Sequence, residues 1–104
     1  MTKNERTRAY IDAMGKQLID LLASGHKVFD GDGELVGSAE QKGFDDVWGL
    51  RYSYKDSESK CRFVIYHDNK DWDNGYHDSV TKFKRQFSEW TVIDPKHVKK
   101  LKNP

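Results

Sequence analysis

The tripeptide Tyr-His-Asp occurs twice, as Tyr66-His67-Asp68 and Tyr76-His77-Asp78, ten residues apart. Between the copies runs Asn69-Lys70-Asp71-Trp72-Asp73-Asn74-Gly75, the densest acidic and aromatic stretch of the chain. Imidazoles, carboxylates and aromatic rings crowd together only here. The side chains of His67, Asp68, Asp71, Asp73, His77 and Asp78 have the nitrogen and oxygen donors a transition metal takes. Their spacing argues against one: no cysteine is near and no His-x-x-x-His pair exists. A calcium loop fails too, because with Gly75 at its sixth position the first and third ligands would be Lys70 and Trp72. No metal and no cofactor is expected.

The same segment suits an interface. Trp72 among aspartates and asparagines has the make-up of an aromatic anchor with a polar rim. On this reading Tyr66, Asp68, Asp71, Trp72, Asp73, Tyr76, His77 and Asp78 contact a protein partner, and their acidity favours a basic one.

Nucleic acid is the competing ligand. Lys82, Lys84 and Arg85 lie on an expected helix, and Lys96, His97, Lys99, Lys100 and Lys102 crowd the C-terminal end. Arg51 and Arg62 are expected to meet on the outer face of a sheet, with Tyr66 as a stacking platform. The net charge of +1 is well below that of a dedicated binder. It hides an uneven spread: residues 1–27 carry +2, residues 28–81 carry −6 and residues 82–104 carry +5.

Catalytic chemistry has thinner support, and no catalytic residue is assigned. A metal-dependent nuclease would use an aspartate before a Glu-x-Lys on core strands. Glu40-Gln41-Lys42 follows Asp30 and Asp32, and Glu58-Ser59-Lys60 follows Asp45 and Asp46, but a chain with 34% charged residues yields such triplets by chance. Cys61 alternates with Phe63 and Ile65, which predicts an inert thiol facing the core. No serine elbow and no phosphate-binding glycine loop is present.

The elements that must position these groups follow from periodicity. Residues 4–24 predict a helix, with Tyr10, Ile11, Met14, Leu18, Leu21 and Leu22 at helical spacing and Gly25 as its stop. Residues 26–38 predict a hairpin about Asp30-Gly31-Asp32-Gly33, a turn signal because glycine accepts positive φ. Residues 37–46 then read as a loop. Trp48, Leu50, Tyr52 and Tyr54 alternate on one strand, and Cys61, Phe63 and Ile65 on the next. A register pairing Tyr52 with Phe63, Leu50 with Ile65 and Trp48 with His67 would bury both sets, joined by a polar loop over 55–60. Tyr76, Val80, Phe83, Phe87 and Trp90 form one helical stripe. Thr91-Val92-Ile93 suggests a final strand, and Asp94-Pro95 opens a short basic helix or tail.

The expected fold is α+β: an N-terminal helix, a four-stranded, mostly antiparallel sheet of two hairpins, and a second amphipathic helix. At 104 residues this is one domain, with residues 96–104 as a flexible basic tail. One cysteine excludes an internal disulfide, no apolar leader is visible, and no run reaches the length of a membrane span. These features suit the cytoplasm. The function expected is non-enzymatic binding of a protein partner by an inhibitory or accessory factor of the kind phages encode. A nucleic-acid-binding or nuclease-like domain is the alternative.

Overall fold

The computed structural model describes residues 3–44, 47–67, 79–94 and 96–103. Along the chain these form α1 (Lys3–Ala23), β1 (Lys27–Phe29), β2 (Val36–Phe44), β3 (Val47–Tyr54), β4 (Ser57–His67), α2 (Ser79–Ser88), β5 (Thr91–Ile93) and β6 (Val98–Lys100). The class is α+β, as expected. The strands form two antiparallel sheets of three, ordered β1-β5-β6 and β2-β3-β4, rather than one sheet of four.

Helix α1 forms where its apolar spacing predicts, and it buries Tyr10, Ile11, Met14 and Leu18. Gly15 sits mid-helix where a Cβ would displace the side-chain amide of Gln41. Gln41 Nε2 donates to the Asp12 carbonyl there, at 3.3 Å. The helix ends where Gly25 adopts a φ of 82°. His26 N donates to Leu21 O and Gly25 N to Leu22 O, both at 3.1 Å. This is the 6→1 and 5→2 closure that only a residue tolerant of positive φ allows cheaply.

The turn after β1 is also as expected. Asp30 is buried, and its Oδ1 accepts the Asp32 and Glu34 amides at 2.9 and 3.0 Å. The hairpin it was to close is a single bridge, Phe29 to Leu35, because β1 pairs along its length with β5. Residues 37–46, read as a loop, largely belong to β2. Its partners on β3 run from Val36–Tyr54 to Phe44–Val47, with a bulge between Val36 and Ser38. The alternation Ser38, Glu40, Lys42 is that of a solvent-facing row, and the glycines on either side of it, Gly37 and Gly43, hid a strand.

The β3–β4 register differs by one residue from the one expected. Arg51 faces Phe63, Tyr52 faces Arg62, Leu50 faces Val64, Gly49 faces Ile65 and Trp48 faces Tyr66. A slip of one exchanges the faces of a strand. Val64 and Tyr66 therefore enter the core, while Phe63 and Ile65 are 41% and 37% exposed on the outer face. Both parities of β4 are apolar, so alternation alone did not decide between them. The connection is also tighter than a six-residue loop: β4 opens at Ser57, and a bulge between Ser53 and Tyr54 absorbs the mismatch.

The core joins the two sheets through aromatic rings. Trp90 packs on Tyr52 at 4.9 Å and on Phe87 at 5.1 Å between centroids, both edge-on. Tyr52 meets Tyr54 at 5.9 Å and Tyr10 meets Phe87 at 6.4 Å. Phe83 and Phe87 keep the expected stripe on a helix described from Ser79 to Ser88, and Trp90, just past its end, is buried beside them. Removing a ring such as Trp90 would cost about 3–5 kcal/mol.

The basic C-terminal helix or tail is instead β6. Asp94 makes the turn: its Oδ1 accepts the Lys96 and His97 amides at 2.9 and 2.7 Å, and its own N–H donates to His97 O. The chain reverses and pairs Val98, Lys99 and Lys100 with Ile93, Val92 and Thr91. Beyond β6 the tail is fastened to α1. Gln17 Nε2 donates to Lys102 O, Lys102 N donates to Gln17 Oε1, both at 2.8 Å, and Tyr10 OH donates to Asn103 Oδ1 at 3.1 Å.

Candidate basic groove

Fastening the tail to α1 leaves a groove of about 580 Å³ between the helix and β5–β6. Ala13, Leu21 and Val92 give it apolar surface. Lys16 on α1 and Lys99, Lys100 and Lys102 on the C-terminal strand and tail line it too, against the single carboxylate of Asp20. Gln17, Ser24 and His26 complete the lining.

The charge of this groove is largely unspent. Lys99 Nζ bonds Asp94 Oδ2 at 2.8 Å. That contact, with the two amides on Oδ1, holds the Asp94 carboxyl well below the usual carboxylate range. Lys16, Lys100 and Lys102 form no ion pair among the described residues. His26 Nδ1 is buried without a hydrogen-bond partner among them. An anionic group entering the groove would find positive charge.

The other polar cluster is already satisfied. Asp30 Oδ2 accepts the Tyr54 hydroxyl at 2.9 Å, so both carboxylate oxygens are engaged. Burial, followed by this bond, pushes the Tyr54 hydroxyl far above the ordinary tyrosine value. Arg62 bridges Asp32 at 2.7 Å and Lys60 bridges Glu34 at 3.0 Å. Glu40 is turned outward on β2, within 3.5 Å of Arg51 and Lys42. The candidate nuclease residues Asp30, Asp32, Glu40 and Lys42 are thus spread over the turn after β1 and the outer face of β2. Among the described residues no three His, Cys, Asp or Glu side chains gather as metal ligands.

Of the acidic aromatic residues, Asp68, Asp71, Trp72, Asp73, Tyr76, His77 and Asp78 lie outside the described residues. Tyr66 is 1% exposed, a core residue and no contact surface or stacking platform. Arg51 and Arg62 do not meet. Arg51 shares the outer face with Phe63, while Arg62 lies beside Tyr52 on the inner one and reaches Asp32 from its edge. Cys61 shares the outer face and is half-buried, contrary to a core thiol. Lys82, Lys84 and Arg85 are exposed on α2. Of the named cations, Lys99, Lys100 and Lys102 line this groove. Lys16, Gln17 and His26 escaped notice in the sequence. Lys16 and Asp20 do lie on the polar side of α1's apolar stripe, so a helix-face reading alone would have shown them exposed but not where β6 would dock.

No protein-family model, curated protein or solved structure matches the chain. No described helix is long and apolar enough to cross a membrane.

Proposed function

We propose that this chain is a small binding protein without catalytic chemistry, acting as an accessory or inhibitory factor on a protein partner. The described contact surface is the groove between α1 and β6. The observation that carries this reading is the combination of four lysines with apolar surface in one concavity. Peptide sites are concave, apolar at their base and polar at a few fixed points. The partner presented to these lysines is acidic, not the basic one that residues 66–78 suggest.

Nucleic acid remains the second reading, favoured by the three exposed cations Lys82, Lys84 and Arg85 on α2. A phosphate backbone needs a track of charge and gains little from an apolar base. The deciding experiment titrates fluorescent acetyl-Glu-Val-Glu-Val-Glu-Val-amide and a single-stranded DNA oligonucleotide against the chain over a range of salt. Peptide binding that is lost in the Lys16→Gln/Lys100→Gln/Lys102→Gln variant supports the protein-binding reading. DNA binding without peptide binding would replace it.

A further inference from the structure

Among the described residues strand β6 is paired on one side only, since the sheet runs β1-β5-β6. The direction of its free groups follows from its turn. Asp94 N donates to His97 O, which makes residues 94 and 97 a hydrogen-bonded pair. Antiparallel ladders alternate bonded and non-bonded pairs. Ile93 and Val98 are then non-bonded, Val92 and Lys99 bonded, Thr91 and Lys100 non-bonded. Residues of non-bonded pairs aim their N–H and C=O at the opposite edge, so Val98 and Lys100 present theirs away from β5.

Lys102 is next in that row, and its N–H and C=O are both taken by the Gln17 amide at 2.8 Å. A side-chain amide thus occupies the place of a neighbouring strand's peptide group. It turns the backbone groups of Lys102, two residues beyond β6, toward α1, the side on which the row continues from Val98 and Lys100.

We infer that an extended acidic segment of a partner protein adds to the free edge of β6 as a fourth strand of the β1-β5-β6 sheet. This rests on the protein-binding reading above and specifies its mode. Main-chain bonds to Val98 and Lys100 supply the register, as in other strand additions. Side chains on one face of the added strand enter the groove beside Val92 and Lys16. Those on the other face lie beside Val98, 69% exposed, whose cross-strand neighbour Ile93 is exposed as well. The segment therefore carries acidic and apolar residues in alternation. A second copy is the poorer occupant, because β6 against β6 sets lysines against lysines. Lysines on an edge deter self-pairing, and the same charge draws in an acidic strand.

The test uses the full chain with acetyl-Glu-Val-Glu-Val-Glu-Val-amide and two N-methylated versions, one methylated on every valine nitrogen and one on every glutamate nitrogen. Only one set of nitrogens faces β6 in a given register. The unmodified peptide and one methylated version are expected to bind, with the other weaker by about tenfold or more. Binding should slow amide exchange at Val98 and Lys100 and leave Lys99 and Lys102, already bonded, little changed. Equal binding by all three peptides, with exchange at Val98 and Lys100 unaltered, would overturn strand addition and leave charge-driven peptide binding standing. No binding by the unmodified peptide would overturn both.

Discussion

Gln17 and Lys102 lie 85 residues apart and share two hydrogen bonds of 2.8 Å, the helix side chain serving as a strand's peptide group. This contact seats the tail and shapes one end of the basic groove. Gln17→Ala removes both bonds at an exposed site, so a loss of about 1 kcal/mol is expected. Amide exchange at Lys102 should accelerate more than at Lys99. Unchanged exchange at Lys102 would show that the tail is held by other contacts.

The β3–β4 register predicts an asymmetry along β4. Phe63→Ala, on the outer face, should change stability by about 0.5 kcal/mol, the scale of ordinary surface substitutions. Leu50→Ala, at the buried position opposite Val64, should cost about 2–5 kcal/mol. Urea denaturation of both variants decides this, and a larger loss for Phe63→Ala would restore the alternative register. Cys61 shares the Phe63 face, so it should react with a thiol reagent without denaturant.

These strands also show what alternation conveys. The apolar spacing of α1, the stop at Gly25, the inward face of β3 and the stripe of Phe83, Phe87 and Trp90 are legible because only one assignment buries them. Strand β4 offered two, Phe63 with Ile65 or Val64 with Tyr66, and the choice was made by what packs against the sheet. Strand β2 was obscured by Gly37 and Gly43. Val98-Lys99-Lys100 has the composition of a solvated tail and becomes a strand through the Asp94 turn. The groove was half legible: Lys99, Lys100 and Lys102 were visible as a basic cluster, but their juxtaposition with Lys16 and Gln17 spans most of the chain.

Acid should loosen the β5–β6 turn. The Asp94 carboxyl is lowered, first by Lys99 and then by the two amides. A lowered carboxylate stabilises the fold above its unfolded value, and that contribution is lost as pH falls below the ordinary carboxylate range. Exchange at Lys96 and His97 should rise on acidification. Asp94→Asn keeps an oxygen for the amides but loses the negative charge that pairs with Lys99, and should flatten this pH dependence.

Alkali should act on Tyr54. Its hydroxyl is raised above the ordinary 10.0, first by burial and then by its bond to Asp30. A raised tyrosine contributes stability that is complete below the unfolded value and is lost as pH rises past it. Tyr54→Phe leaves Asp30 Oδ2 without its donor and should cost about 1–3 kcal/mol at neutral pH. It should also remove part of the loss seen above pH 10 in thermal melts.

The central claim is that the groove between α1 and β6 is the binding surface. Backbone amide shifts, followed while acetyl-Glu-Val-Glu-Val-Glu-Val-amide is added, test it most directly. The largest changes are expected at Lys16, Gln17, His26 and along Val98 to Lys102, with Arg51, Phe63 and Ile65 on the outer face of the other sheet unmoved. Changes centred on Arg51, Phe63 and Ile65, or none at any peptide concentration, would contradict the account.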